Sequence, residues 1–228
     1  MSKIYFQGTY GAYSHLASLS IDPKAEIIPC KTFDECFLRA INEENTRIVI
    51  PESNRITGNI GIEYLIFKYR LNIYSEYFQK IEHNLLVLPG TKKTEIKDVY
   101  SHAQALSQCS KFIKENKLNE HVRADTAGSA EMISKNKKKH EAAIASSLSA
   151  KTYGLETIVK NIENEPGNLT RFLVMGKKIS QPKDNKTRPL KDLVKEVESL
   201  KAFKVKAITI FAVVQFGMAF IAWSMKFM

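Results

Sequence analysis

Cysteine, tryptophan and the glycine patterns of nucleotide loops are scarce or missing in this chain of 228 residues. Its three cysteines, Cys30, Cys36 and Cys109, form no CxxC pair and have no histidine beside them. That excludes a disulfide framework and a zinc site, and it points to a reducing compartment. Neither a Walker nor a Rossmann glycine pattern occurs, and no histidines and carboxylates fall at metal-ligand spacing. No metal and no cofactor are therefore expected. The N-terminus has no apolar run of the roughly 7–15 residues that a secretory signal needs. A cytoplasmic location is expected, and Asn168-Leu169-Thr170 then reads as an accidental glycosylation sequon. Lys135 to Lys139 has no aromatic interleaving, so a solvated face is expected there rather than a nucleic-acid contact.

Apolar content is ample for a packed core, at 44% hydrophobic residues. The formal charge is +10, but +7 of it lies from Gly176 onward, which leaves residues 1–175 nearly balanced. Short apolar runs alternate with helical patterns from the start: Ile4 to Phe6 then Ala12 to Ser20, Ile27 and Ile28 then Thr32 to Asn42, Arg47 to Ile50 then Gly61 to Tyr69. Such a rhythm predicts an α/β fold with mixed, mainly parallel sheets. Thr32-Phe33-Asp34-Glu35 is a capping box at the start of the second helix.

Leu71 to Phe78 and Asn84 to Leu88 read as longer strands where the chain passes to a second lobe, roughly residues 79–155. A further α/β round follows, with strands at 98–101, 121–124 and 142–145 and helices at 103–115, 126–135 and 147–153. The strand Leu169 to Met175 closes the body at about residue 176. Two such rounds predict two α/β subdomains with a cleft between them, a usual place for a small-molecule site. Residues 177–206 form a basic linker with a short amphipathic helix predicted inside it. Residues 207–225 carry no charge and are just long enough to span a bilayer. A membrane anchor, a helix buried in an oligomer and a non-native reading frame all remain open for that segment.

Four turns rich in small and hydroxylated residues follow strands: Gln7 to Ser14, Pro51 to Asn59, Ser101 to Leu106 and Asp125 to Ala130. Each is expected to offer backbone N–H groups and polar side chains at a helix start, where anions are favoured. Together they suit a small carboxylated molecule, although each alone could be a simple cap.

These residues resemble the prephenate dehydratase family. The matching elements are FQGTYGAYS, PESNRITGNIG, SHAQALSQC, DTAGSAE, AAIASSLSAKTYGLE and Asn168-Leu169-Thr170-Arg171-Phe172-Leu173-Val174, in the family's order, over residues 3–175. The resemblance implies a two-lobed fold like that of type II periplasmic binding proteins. It also implies conversion of prephenate to phenylpyruvate with loss of water and carbon dioxide, in phenylalanine biosynthesis, by a homo-oligomer. Two departures stand out. The family's Pro-x-Glu-Asn-Ser turn is Pro51-Glu52-Ser53-Asn54 here, and no ACT regulatory domain is recognisable after Gly176. Feedback inhibition through such a domain is therefore not expected.

Carried over from the family, Thr170 is the group that helps the ring hydroxyl leave as water. A threonine hydroxyl is a weak acid, so this role depends on alignment in a dry site. The expected substrate binders are Gln7, Gly8, Ser53, Asn54, Ser101, His102, Gln104, Thr126, Gly128, Arg171 and Phe172, with backbone N–H groups at Gly8 and Gly128. Strand alternation puts Thr170 and Arg171 on opposite faces and Phe172 on the face of Thr170. Arg171 either grips a substrate carboxylate or pairs with an acid such as Glu165. His102 is either a donor to substrate or a helix cap, and the other four histidines have no partner by spacing. Arogenate dehydration and a non-catalytic two-lobed binding protein are the competing readings. The retained Thr170 speaks against the second.

Overall fold

The computed structural model describes residues 2–177, together with the backbone of residues 188 and 189. The expectations for the remainder of the linker and for the apolar segment 207–225 lie outside the described residues. Among those described, no helix is long and apolar enough to cross a membrane.

The first lobe is built from β1 (Lys3–Gln7), α1 (Tyr13–Ile21), β2 (Glu26–Cys30), α2 (Phe33–Asn42), β3 (Thr46–Asn54), β4 (Gly58–Asn59), α3 (Glu63–Tyr69) and β5 (Asn72–Lys80). The second contains β6 (Asn84–Val87), β7 (Asp98–His102), α4 (Ala103–Gln108), α5 (Ser110–Glu115), β8 (Asn119–Arg123), α6 (Thr126–Asn136), β9 (Glu141–Ala145), α7 (Ser147–Tyr153) and β10 (Glu156–Val159). The chain then returns to the first lobe as β11 (Leu169–Gly176).

The first sheet runs β5-β11-β3-β1-β2, with β4 on β3, and the second runs β10-β6-β9-β7-β8. Both are mixed. β1 lies parallel to β2 and β3, and β7 lies parallel to β8 and β9, whereas β11 and β6 pair antiparallel with their neighbours.

Alternation along each strand sends side chains to two buried faces. Tyr5, Ile48, Ile50, Leu173 and Met175 pack with Phe37 of α2, while Ile4, Val49, Phe172 and Val174 pack with Ala17 of α1. The second sheet repeats the arrangement, with Val99 and Ile144 beneath Leu106 and Ile113, and Leu86 and Ala143 beneath Ala130 and Ile133. Both faces of each sheet are thus covered, as the near-continuous apolar strands require.

Three departures from the sequence reading have physical causes. Pro51 to Asn59 does not open a helix: it forms the β3–β4 hairpin, and α3 starts only at Glu63. The helix expected over 103–115 breaks at Cys109. There Asn164, from the returning chain, donates its backbone N–H to the Gln108 carbonyl at 2.6 Å and its side-chain amide to the Ser107 carbonyl at 3.2 Å. Its Oδ1 accepts from the Lys111 N–H at 3.0 Å. A distant residue therefore satisfies groups that a continuous helix would have paired internally. Finally, β10 was unforeseen, and it is held by antiparallel pairing to β6.

Candidate functional site

A cavity of about 530 Å³ opens between the lobes, lined from β1, α1, the start of α2, the β3–β4 hairpin, the crossing segments, α4, the start of α6 and β11. The lobes are fixed behind it by a clamp. Ser146 and Ser149 both donate to the Gly11 carbonyl, at 2.6 and 2.9 Å, and the Tyr153 hydroxyl donates to the Tyr10 carbonyl at 2.7 Å. Gly11 has φ +90°, and a Cβ there would stand 2.8 Å from the Ser149 Cα, so only glycine lets α7 approach so closely.

At the centre is Thr170, which is 7% exposed and faces the cavity. Its hydroxyl accepts from Asn54 Nδ2 at 2.9 Å. The orientation of that amide is fixed from its other end. Asn54 Oδ1 accepts the backbone N–H groups of Ile56 at 3.0 Å and Thr57 at 3.1 Å, as a short amide does in a turn. The nitrogen must then face Thr170. With its oxygen engaged as acceptor, the hydroxyl keeps its own proton, which has no acceptor among the described residues.

Phe172 shares the Thr170 face and lines the cavity, at 1% exposure. Gln7, Gly8, Gln104 and Thr126 line it as well. His102 combines two features: its Nδ1 caps α4 by accepting from the Gln104 N–H at 3.3 Å, and its ring lines the cavity. An Nδ1 that accepts leaves a neutral ring's proton on Nε2.

Several expected binders are placed elsewhere. Arg171 lies on the opposite face of β11, where its Nε donates to Glu76 at 2.7 Å and its Nη1 pairs with Glu52 at 3.3 Å. It does not pair with Glu165, which meets Lys111 instead. Ser53 turns to the same far side and donates to Glu52 at 2.6 Å. A β-bulge explains this: Arg171 stands opposite Ser53 and Phe172 opposite Pro51, so Glu52 is the extra residue and two successive side chains turn outward. Ser101 is fully buried and donates to the Ile144 carbonyl at 2.6 Å. The two backbone donors are spent as well, because the Gly8 N–H bonds to the Cys30 carbonyl at 2.9 Å and the Gly128 N–H to Asp125 Oδ1 at 2.6 Å.

The back wall was not foreseen. The Tyr13 hydroxyl donates to the Glu82 carbonyl at 2.7 Å and lies 3.0 Å from His83 Nδ1. His83 Nε2 is 2.9 Å from Gln108 Oε1, which also accepts from Asn168 Nδ2 at 3.2 Å. Burial pushes the Tyr13 hydroxyl pKa well up and holds His83 below the usual histidine value, so both are neutral. Asn168 Oδ1 is buried without a hydrogen-bond partner among the described residues. Two-residue spacing from Thr170 would have put Asn168 on the cavity face, but no local signal joins His83 to Gln108.

A family model described as prephenate dehydratase matches residues 4–180. The chain belongs to the prephenate dehydratase family. Among its relatives is the arogenate dehydratase/prephenate dehydratase 1, chloroplastic, of Arabidopsis thaliana, which is 35% identical over 92% of this chain and 54% of its own length. The chain spans about half the length of the curated relatives it matches.

Of solved structures, GqqA, described as a novel type of quorum quenching acylase, is 33% identical with a TM-score of 0.73, covering 78% of this chain and 65% of its own. The prephenate dehydratase from Staphylococcus aureus subsp. aureus Mu50 is 27% identical with a TM-score of 0.68, covering 79% and 68%. The two-lobed α/β architecture is therefore that of the prephenate dehydratases.

Proposed function

We propose that this chain catalyses the decarboxylating dehydration of a cyclohexadienol carboxylate of the prephenate type, a step of phenylalanine biosynthesis. The observation that carries the reading is the Asn54–Thr170 pair, which presents an unspent hydroxyl proton to the cavity. In the reaction the bond from the ring to its carboxylate breaks, and its electron pair enters the ring as carbon dioxide departs. The ring carbon–oxygen bond then breaks, and the hydroxyl leaves as water with a proton supplied to its oxygen. Aromatisation drives both cleavages. The protein's task is to align a donor with the leaving oxygen and to keep water away.

Thr170 is the donor in this scheme, and Asn54 is the residue that positions it. No lysine or arginine lines the cavity among the described residues. The departing carboxylate is thus not pinned by an ion pair that would be lost in the transition state, and ground-state binding does not deepen the barrier. Its seat is neutral. The first turn of α1 fits that need, since the cap residue Ala12 offers no side-chain acceptor to its N–H groups.

The test is to incubate the purified chain with prephenate and, separately, with arogenate, measuring phenylpyruvate and phenylalanine. Product from either substrate, lost in Thr170→Ala, is the expected result. A folded protein that yields neither product removes the reading and favours a ligand-binding role.

A further inference from the structure

The cavity's charge distribution separates the two substrates that the reaction class admits. Asp125 is the sole carboxylate among its lining residues, and no lysine or arginine accompanies it. The residue caps α6: its Oδ1 accepts the Gly128 N–H at 2.6 Å and lies 3.3 Å from the Thr9 hydroxyl of the other lobe. Oδ2 takes no hydrogen bond among the described residues. Gly128 makes room for it, because a Cβ there would stand 2.7 Å from Oδ2 and 3.1 Å from Oδ1.

Two of the helices that start at the cavity, α1 and α6, are consequently opposite in character. α1 begins without an acidic or polar cap and attracts anions, whereas α6 begins with a carboxylate that already offsets its positive end. A substrate bearing two carboxylates and a keto group meets one unfavourable wall. A substrate in which an ammonium replaces that keto group finds a carboxylate for it, and its net charge falls by one.

We infer that Asp125 is a specificity-determining residue, reading the ammonium of the amino substrate, so that this chain favours arogenate over prephenate. This rests on the reaction proposed above. It assigns to Asp125 a contact with substrate in addition to its cap, and it explains why an acid stands in a cavity built for an anion.

The experiment compares kcat/KM for arogenate and for prephenate in the wild type and in Asp125→Asn. Asparagine keeps the Oδ1 acceptor and is an equally good cap, so the fold is retained while the charge is removed. The expected result is that the arogenate-to-prephenate ratio of kcat/KM falls roughly 10–100-fold, the scale of one charge-assisted hydrogen bond. A second readout needs no turnover: calorimetric binding of phenylalanine is expected to weaken in the variant, and that of phenylpyruvate to hold or strengthen. An unchanged ratio, or an equal loss with both substrates, makes Asp125 a cap alone and overturns the inference while leaving the reaction intact. Wild-type protein inert toward both substrates overturns the reaction itself.

Discussion

Asn54 Nδ2 donates to Thr170 Oγ1 at 2.9 Å, and the same amide's oxygen is held by the N–H groups of Ile56 and Thr57. The hydroxyl is therefore oriented by a residue 116 positions away in sequence. Asp at position 54 would keep the turn, because a carboxylate also accepts those two N–H groups, yet it cannot donate to Thr170. It would instead draw the hydroxyl proton away from the cavity. Asn54→Asp is expected to lower kcat by roughly 10²-fold, as Thr170→Ala does, with little change in KM. Thr170→Ser should retain part of the rate. Wild-type kcat in Asn54→Asp would show that the orientation of this hydroxyl does not matter.

Arg171 lies on the far side of the sheet, bound to Glu76, which is 4% exposed, and to Glu52. Replacing it by alanine strips a buried carboxylate of its guanidinium. The cost should be on the order of 2–3 kcal/mol, less than for a fully buried pair because Arg171 is 30% exposed. A fall in Tm with KM held within about twofold is the expected signature. A large rise in KM in a stable variant would return Arg171 to the substrate.

Much of this was legible locally and some was not. Strand alternation separated Thr170 from Arg171 and joined Thr170 to Phe172, because a period of two leaves no other choice. The Thr32 cap was readable too, and its hydroxyl accepts the Glu35 N–H at 3.1 Å. What failed were features set by distant chain. The bulge at Glu52 depends on pairing with β11, the break at Cys109 depends on Asn164, and Ser101 is drawn into the core by the Ile144 carbonyl. The helix starts also differ among themselves, since the acid in Asp125-Thr126-Ala127-Gly128 marks one of them as unsuited to anions.

Gly11 joins the lobes without a side chain, and its carbonyl collects two serine hydroxyls of the second lobe. Gly11→Ala imposes φ +90° on an L-residue and drives its Cβ against the backbone of α7. Roughly 1–3 kcal/mol of destabilisation is expected from strain at such a site. Because the clamp joins the two lobes that flank the cavity, KM should rise as well. A variant with unchanged Tm and KM would mean that the lobes are held by other contacts.

One buried histidine and one half-buried histidine give stability a pH dependence above the carboxylate range. His83 is 3% exposed in the cavity wall, and His15 stacks on Phe6 at 5.3 Å while its Nδ1 accepts the Gly11 N–H at 2.9 Å. Burial holds both below the ordinary value of 6.5. In the unfolded chain each takes up a proton near that value, while the folded protein resists it. Stability is thus fully present above about pH 6.5 and declines as pH falls toward the lowered folded values. Asp98, whose carboxyl is held low by the His121 hydrogen bond, contributes a loss only at more acidic pH. Urea midpoints should drop between about pH 7.5 and 5.5, and His83→Gln should flatten that slope. Equal midpoints across the window would mean that both rings accept protons in place, and that the neutral cavity wall described above does not hold below pH 6.5.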